Sequence, residues 1–427
     1  MKHPLVFLLL VVCPIVSAQD APLTVAEPLT IERAVELAMT RNERAAIAET
    51  TVEAAEARVR RARTAFFPRV DINGTWRNDY SDPTDRTLSA GALVTQPLFE
   101  PRVFPLYRQA RFARDAARLN ADEATRLLGY DAAAIFLSTL SSEQVLRAAE
   151  QRRDFAQTNL DDVRARFEAG LVSSNDVTRA ELELATAVRG VAQAQGDVQA
   201  SRVELETLLN ADVNGALAPP ASLLDAADDA PATNEATITA AQSRRSDVAA
   251  TRAEVEALRA FTDETRARFL PSVTATAQTR NINDGPLTSR ENDGFVGVGL
   301  NWPVFDAGQR AADRAERTAQ VRGAQLELDL LLRDVDRQLR SAAVQLTTEQ
   351  AALREAGAAL RAARRNAEET TVLYREGLAS ALELADATQR LFEAEVAEVT
   401  ARYRMALAYL SLREAEGVAP LGMEQQR

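Results

Sequence analysis

The sequence predicts a mainly α protein with a membrane β part, built from two homologous halves. Three observations carry this reading: an internal repeat, heptads sustained along very long helices, and four short segments of alternating polarity. At 427 residues the chain has length for two or three ordinary domains, so the pattern has to decide its organisation.

The repeat comes first. Ala65-Phe66-Phe67-Pro68-Arg69-Val70 returns as Arg268-Phe269-Leu270-Pro271-Ser272-Val273, 203 positions later. Gln96-Pro97-Leu98-Phe99 returns as Trp302-Pro303-Val304-Phe305 at an offset of 206, and RFEAGL at 166–171 as LYREGL at 373–378 at 207. Three matches in one order at nearly one offset mark a duplication. The first repeat is predicted over 19–210 and the second over 236–416. A Pro/Ala/Asp-rich linker of loop composition joins them over 211–235, and a tail follows over 417–427. Each half reads as a helix, two strands, a very long helix, a glycine and a shorter helix. The first half has strands at about 70–80 and 88–98, a long helix over 101–168, a tip at 170 and a return helix over 172–210. The second has strands at about 272–282 and 294–304, a long helix over 308–376, a tip at 377 and a return over 379–416.

The long helices are read from their period. Leu332, Leu339, Leu346, Leu353, Leu360, Ala367 and Tyr374 lie seven residues apart, beside a row of Val335, Ala342, Ala356, Ala363 and Thr370 broken by Glu349. The first half repeats the period in Leu146, Leu160 and Phe167, interleaved with Ala149, Ala156 and Val163. Sustained heptads mean supercoiled packing against other helices, and alanine lets those helices approach closely. A helix from 101 to 168 is roughly 100 Å long at 1.5 Å per residue, too long for a compact globule.

The strands are read from alternation. Val70, Ile72, Trp76 and Tyr80 share one face while Asp71, Asn73, Thr75, Arg77 and Asp79 share the other. Leu88, Ala90, Ala92 and Val94 make the next apolar row. Val273, Ala275 and Ala277, then Val296, Val298, Leu300 and Trp302, make those of the second half. Each segment has the length of a tilted membrane-spanning strand, about 9–11 residues, and the links SDPTDR and NDGPLTSREND are polar and turn-rich. A soluble hairpin packed on helices shows the same alternation. Four strands cannot close a barrel, and open edges are intolerable in lipid, so the pattern asks for an oligomer that pools strands.

Composition removes most chemistry. Lys2, His3 and Cys13 are the chain's sole lysine, histidine and cysteine, and all three fall in a segment that reads as a signal peptide over 1–18. It has a basic start, an apolar run from Leu5 to Val12, and the small-residue site Val16-Ser17-Ala18. Val12 before Cys13 and Pro14 after it do not suit a lipidation signal, so Cys13 reads as an incidental residue of the apolar run. Cleavage after Ala18 leaves no thiol, imidazole or amine side chain. Disulfides, ordinary zinc sites, Ser-His-Asp triads and Schiff bases are then excluded. The reading is of a non-enzyme with no catalytic residue, no metal ligand and no cofactor. A net charge of −12 argues against nucleic acid as a partner, and no later stretch offers 18 consecutive apolar residues for a membrane helix.

The twofold repeat, the Phe-x-Pro entry at Pro68 and Pro271, the exits at Pro97 and Pro303, and the paired Gly-Leu tips together resemble the TolC family of outer-membrane efflux proteins, over residues 28–416. The resemblance implies a trimer whose pooled strands form a twelve-stranded outer-membrane β-barrel, continued by a long periplasmic α-helical coiled-coil barrel. It implies a passive exit duct of a tripartite efflux pump or type I secretion system, with a periplasmic adaptor protein and, through it, an inner-membrane transporter as partners. The four prolines would mark barrel–helix junctions. Gly170, Leu171, Gly377 and Leu378 would be the periplasmic tips on which the adaptor docks.

Glu383 and Asp386 fall six and nine positions after Gly377, where the family carries carboxylates that project into the constricted entrance. A spacing of i, i+3 puts both on one helix face. A symmetric ring of such acids would attract cations and raise some carboxylate pKa values by mutual repulsion. An acidic pair at this spacing is otherwise a solvated helical face. Asp176 and Tyr374 match a family contact that holds the entrance closed. A second family latch uses a basic residue two after the second glycine; here that position is Ala379, with Arg375 or Arg179 as possible substitutes. The competing reading is a soluble periplasmic coiled-coil scaffold. The exported substrate is not encoded in any motif.

Overall fold

The computed structural model describes residues 23–25, 28–78, 86–230, 235–284 and 291–422. The expected leader with Lys2, His3 and Cys13, residues Asp79 and Tyr80, most of the two strand links, and the tail from 423 lie outside the described residues.

After a short strand β1 (Leu23–Val25), the first half runs α1 (Ile31–Arg41), α2 (Glu43–Thr64), β2 (Arg69–Asn78), β3 (Arg86–Phe99), α3 (Val103–Glu168) and α4 (Ser174–Leu209). Between the halves lie β4 (Ala211–Val213) and α5 (Ala221–Asp228). The second half runs α6 (Glu235–Arg244), α7 (Ser246–Ala267), β5 (Ser272–Asp284), β6 (Glu291–Asn301), α8 (Gln309–Arg375) and α9 (Ala381–Ala415). α3 and α8 have 66 and 67 residues, so each spans about 100 Å and folds back on its return helix as a long hairpin.

The four long strands form one antiparallel sheet in the order β2-β3-β5-β6. Residues directly opposite across a ladder share a face, and the register runs Val70–Val94–Ala277–Val296 across all four strands. Trp76 opposes Leu88, and Val298 and Leu300 continue the row opposite Ala275 and Val273. Among the described residues nothing covers this face: Ile72 and Val296 are each 85% exposed. Asp71, Asn73, Thr75 and Arg77 stand on the other face of β2, joined there by Phe295 of β6, which opposes Gln278. The outer edges of β2 and β6 have no partner strand within the sheet.

The best-packed region lies midway along the hairpins. Phe136, Leu137 and Leu140 of α3 meet Ile31 and Val35 of α1, Leu205 and Leu209 of α4, and Leu410 of α9. The linker read as loop is structured here: β4 pairs in parallel with β1, and Val213, Leu217, Leu223 and Ala227 are buried. Loop composition misled because four well-spaced apolar residues suffice to anchor a polar segment. The opening helix of each half, read as continuous, is broken, and the two breaks serve one purpose. Asn42 Nδ2 donates to Leu208 O at 2.8 Å, and Arg245 Nη1 donates to Ala415 O at 3.4 Å. Each side chain thus satisfies an orphan carbonyl at the end of a return helix. Asn210 and Gly417 then leave those helices at φ of +48° and +71°, at matching positions of the repeat.

The tail beyond Gly417 also has a role here. Buried Arg126 donates to Glu414 O and Val418 O at 3.1 and 3.2 Å, and the Tyr130 hydroxyl donates to Val418 O. Pro420 closes over Gly129, where an added Cβ would lie 2.8 Å from Pro420 Cγ, 3.1 Å from Met39 Sδ and 3.3 Å from Val35 Cγ1. Gly129→Val should therefore destabilise the protein by about 1–3 kcal/mol, the usual cost of overpacking. A thermal melt showing no loss would mean that the tail leaves this seat easily.

Candidate functional site

The hairpin tips are built from local chain signals. α3 ends at Glu168 and Gly170 follows at φ +72°; α8 ends at Arg375 and Gly377 follows at φ +75°. At the first tip Gly170 N donates to Phe167 O and Leu171 N to Arg166 O, at 2.9 and 2.8 Å. At the second, Gly377 N donates to Tyr374 O and Leu378 N to Leu373 O, at 3.1 and 2.8 Å. These paired bonds are the Schellman closure, which needs a left-handed residue and so favours glycine. Leu171 and Leu378 project from the two turns 74% and 76% exposed, with no apolar staple over them.

Each return helix opens with a capping box. Ser173 Oγ accepts from Asp176 N, while the Asp176 carboxylate accepts from Ser173 N and Oγ at 3.0 and 2.8 Å. Ser380 and Glu383 repeat this, with Glu383 Oε2 accepting from Ser380 N at 2.6 Å and from its Oγ at 2.9 Å. The Ser-x-x-acid signature was visible in both halves and identifies the role directly. Within the chain the Ser380 N–H and hydroxyl hold the Glu383 carboxyl below its ordinary 4.5; the expected repulsion is one between the acids of a ring of copies. Asp386 sits one turn along α9 and pairs with Arg390 at 2.9 Å.

Asp176 and Tyr374, matched by the resemblance to a closing contact, make no hydrogen bond to each other within the chain. Asp176 is engaged with Ser173, and the Tyr374 hydroxyl is buried with no hydrogen-bond partner. The Tyr374 ring lies in a small core with Leu160, Val163, Ala180 and Leu384, which brings all four helices of the two hairpins together. Burial pushes its hydroxyl pKa up, against the pull of Arg166. Arg166 of α3 lies over the ring at 5.2 Å and donates to Tyr374 O and Arg375 O, both at 3.3 Å. Farther up α3, Arg152 pairs with Glu183 at 2.7 Å and stacks over Phe392 of α9 at 5.0 Å. Ala379 stands where the family's second latch carries a basic residue, and the guanidinium that reaches the second tip from the first hairpin is that of Arg166.

The four prolines bracket the sheet in two ways. Pro68 and Pro271 directly precede β2 and β5, while Pro303 follows the end of β6 by two residues. Pro97 lies inside β3 at a break in register between Pro97 and Phe99, where its missing N–H is tolerated. The two junctions below the sheet differ in chemistry. In the first, Phe66 packs edge-on against Phe104 and Tyr107 at 5.3 and 6.0 Å. In the second, Glu264 is buried between Arg268 at 2.8 Å and Arg317 at 2.7 Å. Arg268 also pairs with Asp313, Arg310 with Asp306, and Arg317 stacks on Phe261 at 3.6 Å. Burial raises the Glu264 pKa, but the hydrogen bonds from the two arginines outweigh it and hold the carboxyl below its ordinary 4.5. No periodicity announces this cluster, because its members come from two helices about 50 residues apart.

Among the described residues no helix is long and apolar enough to cross a membrane, and no group of His, Cys, Asp and Glu could hold a metal ion. Comparison with known proteins finds the cobalt-zinc-cadmium resistance protein CzcC of Cupriavidus metallidurans, 25% identical over 88% of this chain and 87% of that protein. The alkaline protease secretion protein AprF of Pseudomonas aeruginosa is 25% identical over 81% of this chain and 73% of its own. The crystal structure of the Campylobacter jejuni CmeC outer membrane channel superposes with a TM-score of 0.77 at 18% identity, covering 93% of this chain and 87% of that one. The family model described as outer membrane efflux protein matches twice, over residues 34–211 and 237–418, once for each half. The chain belongs to the outer membrane efflux protein family.

Proposed function

We propose that this protein is a passive exit duct of the outer membrane, working as a homotrimer at the end of a tripartite efflux or type I secretion assembly. The observation that carries the reading is the sheet: a bare apolar face and two unpaired edges on a four-stranded unit. In lipid that face is satisfied and those edges are not, so copies must join edge to edge into a closed barrel. The helices then hang in the periplasm. Leu326, Leu330 and Val344 of α8 stay more than 60% exposed and suit the helix faces where copies meet. A soluble scaffold leaves the apolar sheet face without a purpose.

The duct does no chemistry of its own. The exposed Leu171 and Leu378 at the tips are the surface offered to a periplasmic adaptor, and an inner-membrane transporter supplies the energy. Glu383 and Asp386, one turn apart on α9, line the entrance as an acidic ring that concentrates cations. Ser380 helps the ring by keeping Glu383 ionised. The relatives are named for metal resistance and for protease secretion, so the cargo is set by the partners, not by this fold.

The test is conductance in a planar bilayer. Wild type should give cation-selective channels blocked by multivalent cations, and Glu383→Ala/Asp386→Ala should lose the block. Because the Glu383 pKa is lowered, its share of the block should persist down to pH 4.5 and fade only below it. Channels indifferent to the double substitution would remove the acidic ring and leave the duct. A folded protein without channels would remove the duct.

A further inference from the structure

We infer that Arg166 is the positioning residue that holds the two hairpin tips against each other, and that it does so through backbone carbonyls and a ring, with no carboxylate partner. The inference rests on the reading of the tips as the duct entrance. Its ground is the geometry where the α3–α4 hairpin meets the α8–α9 hairpin. Among the described residues, the hydrogen bonds that cross between the hairpins at the tips are Arg166 Nη1 to Tyr374 O and Nη2 to Arg375 O.

Those carbonyls belong to the last turn of α8, where helical C=O groups have no partner farther along the helix and carry the negative end of its dipole. A guanidinium is suited to this place because its planar fork reaches two acceptors at once. Tyr374 O is also used by Gly377 N, so the same oxygen closes the turn and receives the arginine. The guanidinium plane meanwhile covers the Tyr374 ring, whose far side is packed in the four-helix core.

Two further features point the same way. The Tyr374 hydroxyl is buried and unpartnered, so the ring is held for its face and its backbone, not for its O–H. Arg152 stands two heptads before Arg166 on α3 and stacks on Phe392 of α9. One stripe of α3 therefore meets the second hairpin through two arginine–aromatic contacts, and only Arg166 adds hydrogen bonds. Because α9 carries Glu383 and Asp386, the position of the acidic pair relative to the first hairpin follows from this clamp.

The experiment uses spin labels on Leu171→Cys/Leu378→Cys, which are clean reporters because Cys13, the chain's one cysteine, falls in the segment read as a signal peptide cleaved after Ala18. Tip-to-tip distances are measured on the purified full chain, alongside conductance. Arg166→Ala removes both hydrogen bonds and should broaden and lengthen the distances and favour the wider-conducting state by at least about tenfold, the factor carried by one hydrogen bond to a charged group. Arg166→Gln and Arg166→Lys should each do so in part, because neither carries the planar fork that reaches both carbonyls. Tyr374→Phe and Asp176→Asn should leave the distances unchanged.

Distances that move with Tyr374→Phe and not with Arg166→Ala would overturn the inference, since the join would then run through the hydroxyl. Unchanged distances in every variant would overturn it in favour of apolar packing alone. Loss of folded protein in the Ala, Gln and Lys variants together would make Arg166 a folding residue and end the clamp assignment. Failure of the duct reading shows separately, as absent conductance with the distances still responding to Arg166.

Discussion

Glu264→Ala should cost about 3–5 kcal/mol, because it takes the shared carboxylate from two guanidiniums and leaves that of Arg317 buried without a counter-charge. Glu264 Oε1 accepts from Arg268 and Oε2 from Arg317, and only 3% of the residue is exposed. Removing the carboxylate leaves Arg268 with Asp313, while Arg317 keeps only Phe261, through the carbonyl and the ring. Urea unfolding followed by the helical signal should show a lower midpoint. Glu264→Gln should fall between, and adding Arg317→Leu to Glu264→Ala should recover part of the loss. The pH dependence has a definite sign. A carboxylate whose pKa is depressed on folding adds stability above its ordinary 4.5, and that stability is lost as pH falls through the depressed value. The wild type should therefore weaken in acid below pH 4.5 and Glu264→Ala should not show this component. Equal midpoints for Glu264→Ala and wild type would show that the sheet is held to the helices by other contacts.

The second large effect belongs to the sheet. Ile72→Arg places a charge on the bare apolar face, where Ile72 is 85% exposed. On the lipid side of a barrel an arginine costs about 2–4 kcal/mol at the midplane, and every copy in the assembly bears the cost. Folding into lipid vesicles should drop sharply, read as loss of the folded band. Thr75→Arg, of opposite parity on β2, should fold as wild type because its face meets water. If the two substitutions behave alike, the sheet does not have one face in lipid.

The duplicated plan was readable because its signals are local and periodic. Gly170 and Gly377 mark helix ends because only a residue at ease with positive φ closes a Schellman turn. Heptads mark the long helices, and alternation marks the strands to within a few residues. The capping boxes at Ser173 and Ser380 were equally local, yet the resemblance drew attention to a pore ring and away from Glu383 as a cap. The middle of the α8 heptad row, Leu353 and Leu360, is only half-buried within one chain, which fits a stripe intended for more helices than the chain contains.

By itself, then, the sequence determined the architecture: two halves, four long strands, two hairpins with glycine tips, and an outer-membrane destination. Tertiary structure alone decided which polar side chains tie these parts together. Arg166 reaches a helix end 208 residues away, Arg126 a carbonyl 288 away, and Arg245 one 170 away. The physical reason is that these arginines bond to backbone carbonyls. Every residue carries a C=O, so the sequence cannot label the acceptor, and only the folded path of the chain brings the one orphan carbonyl within reach.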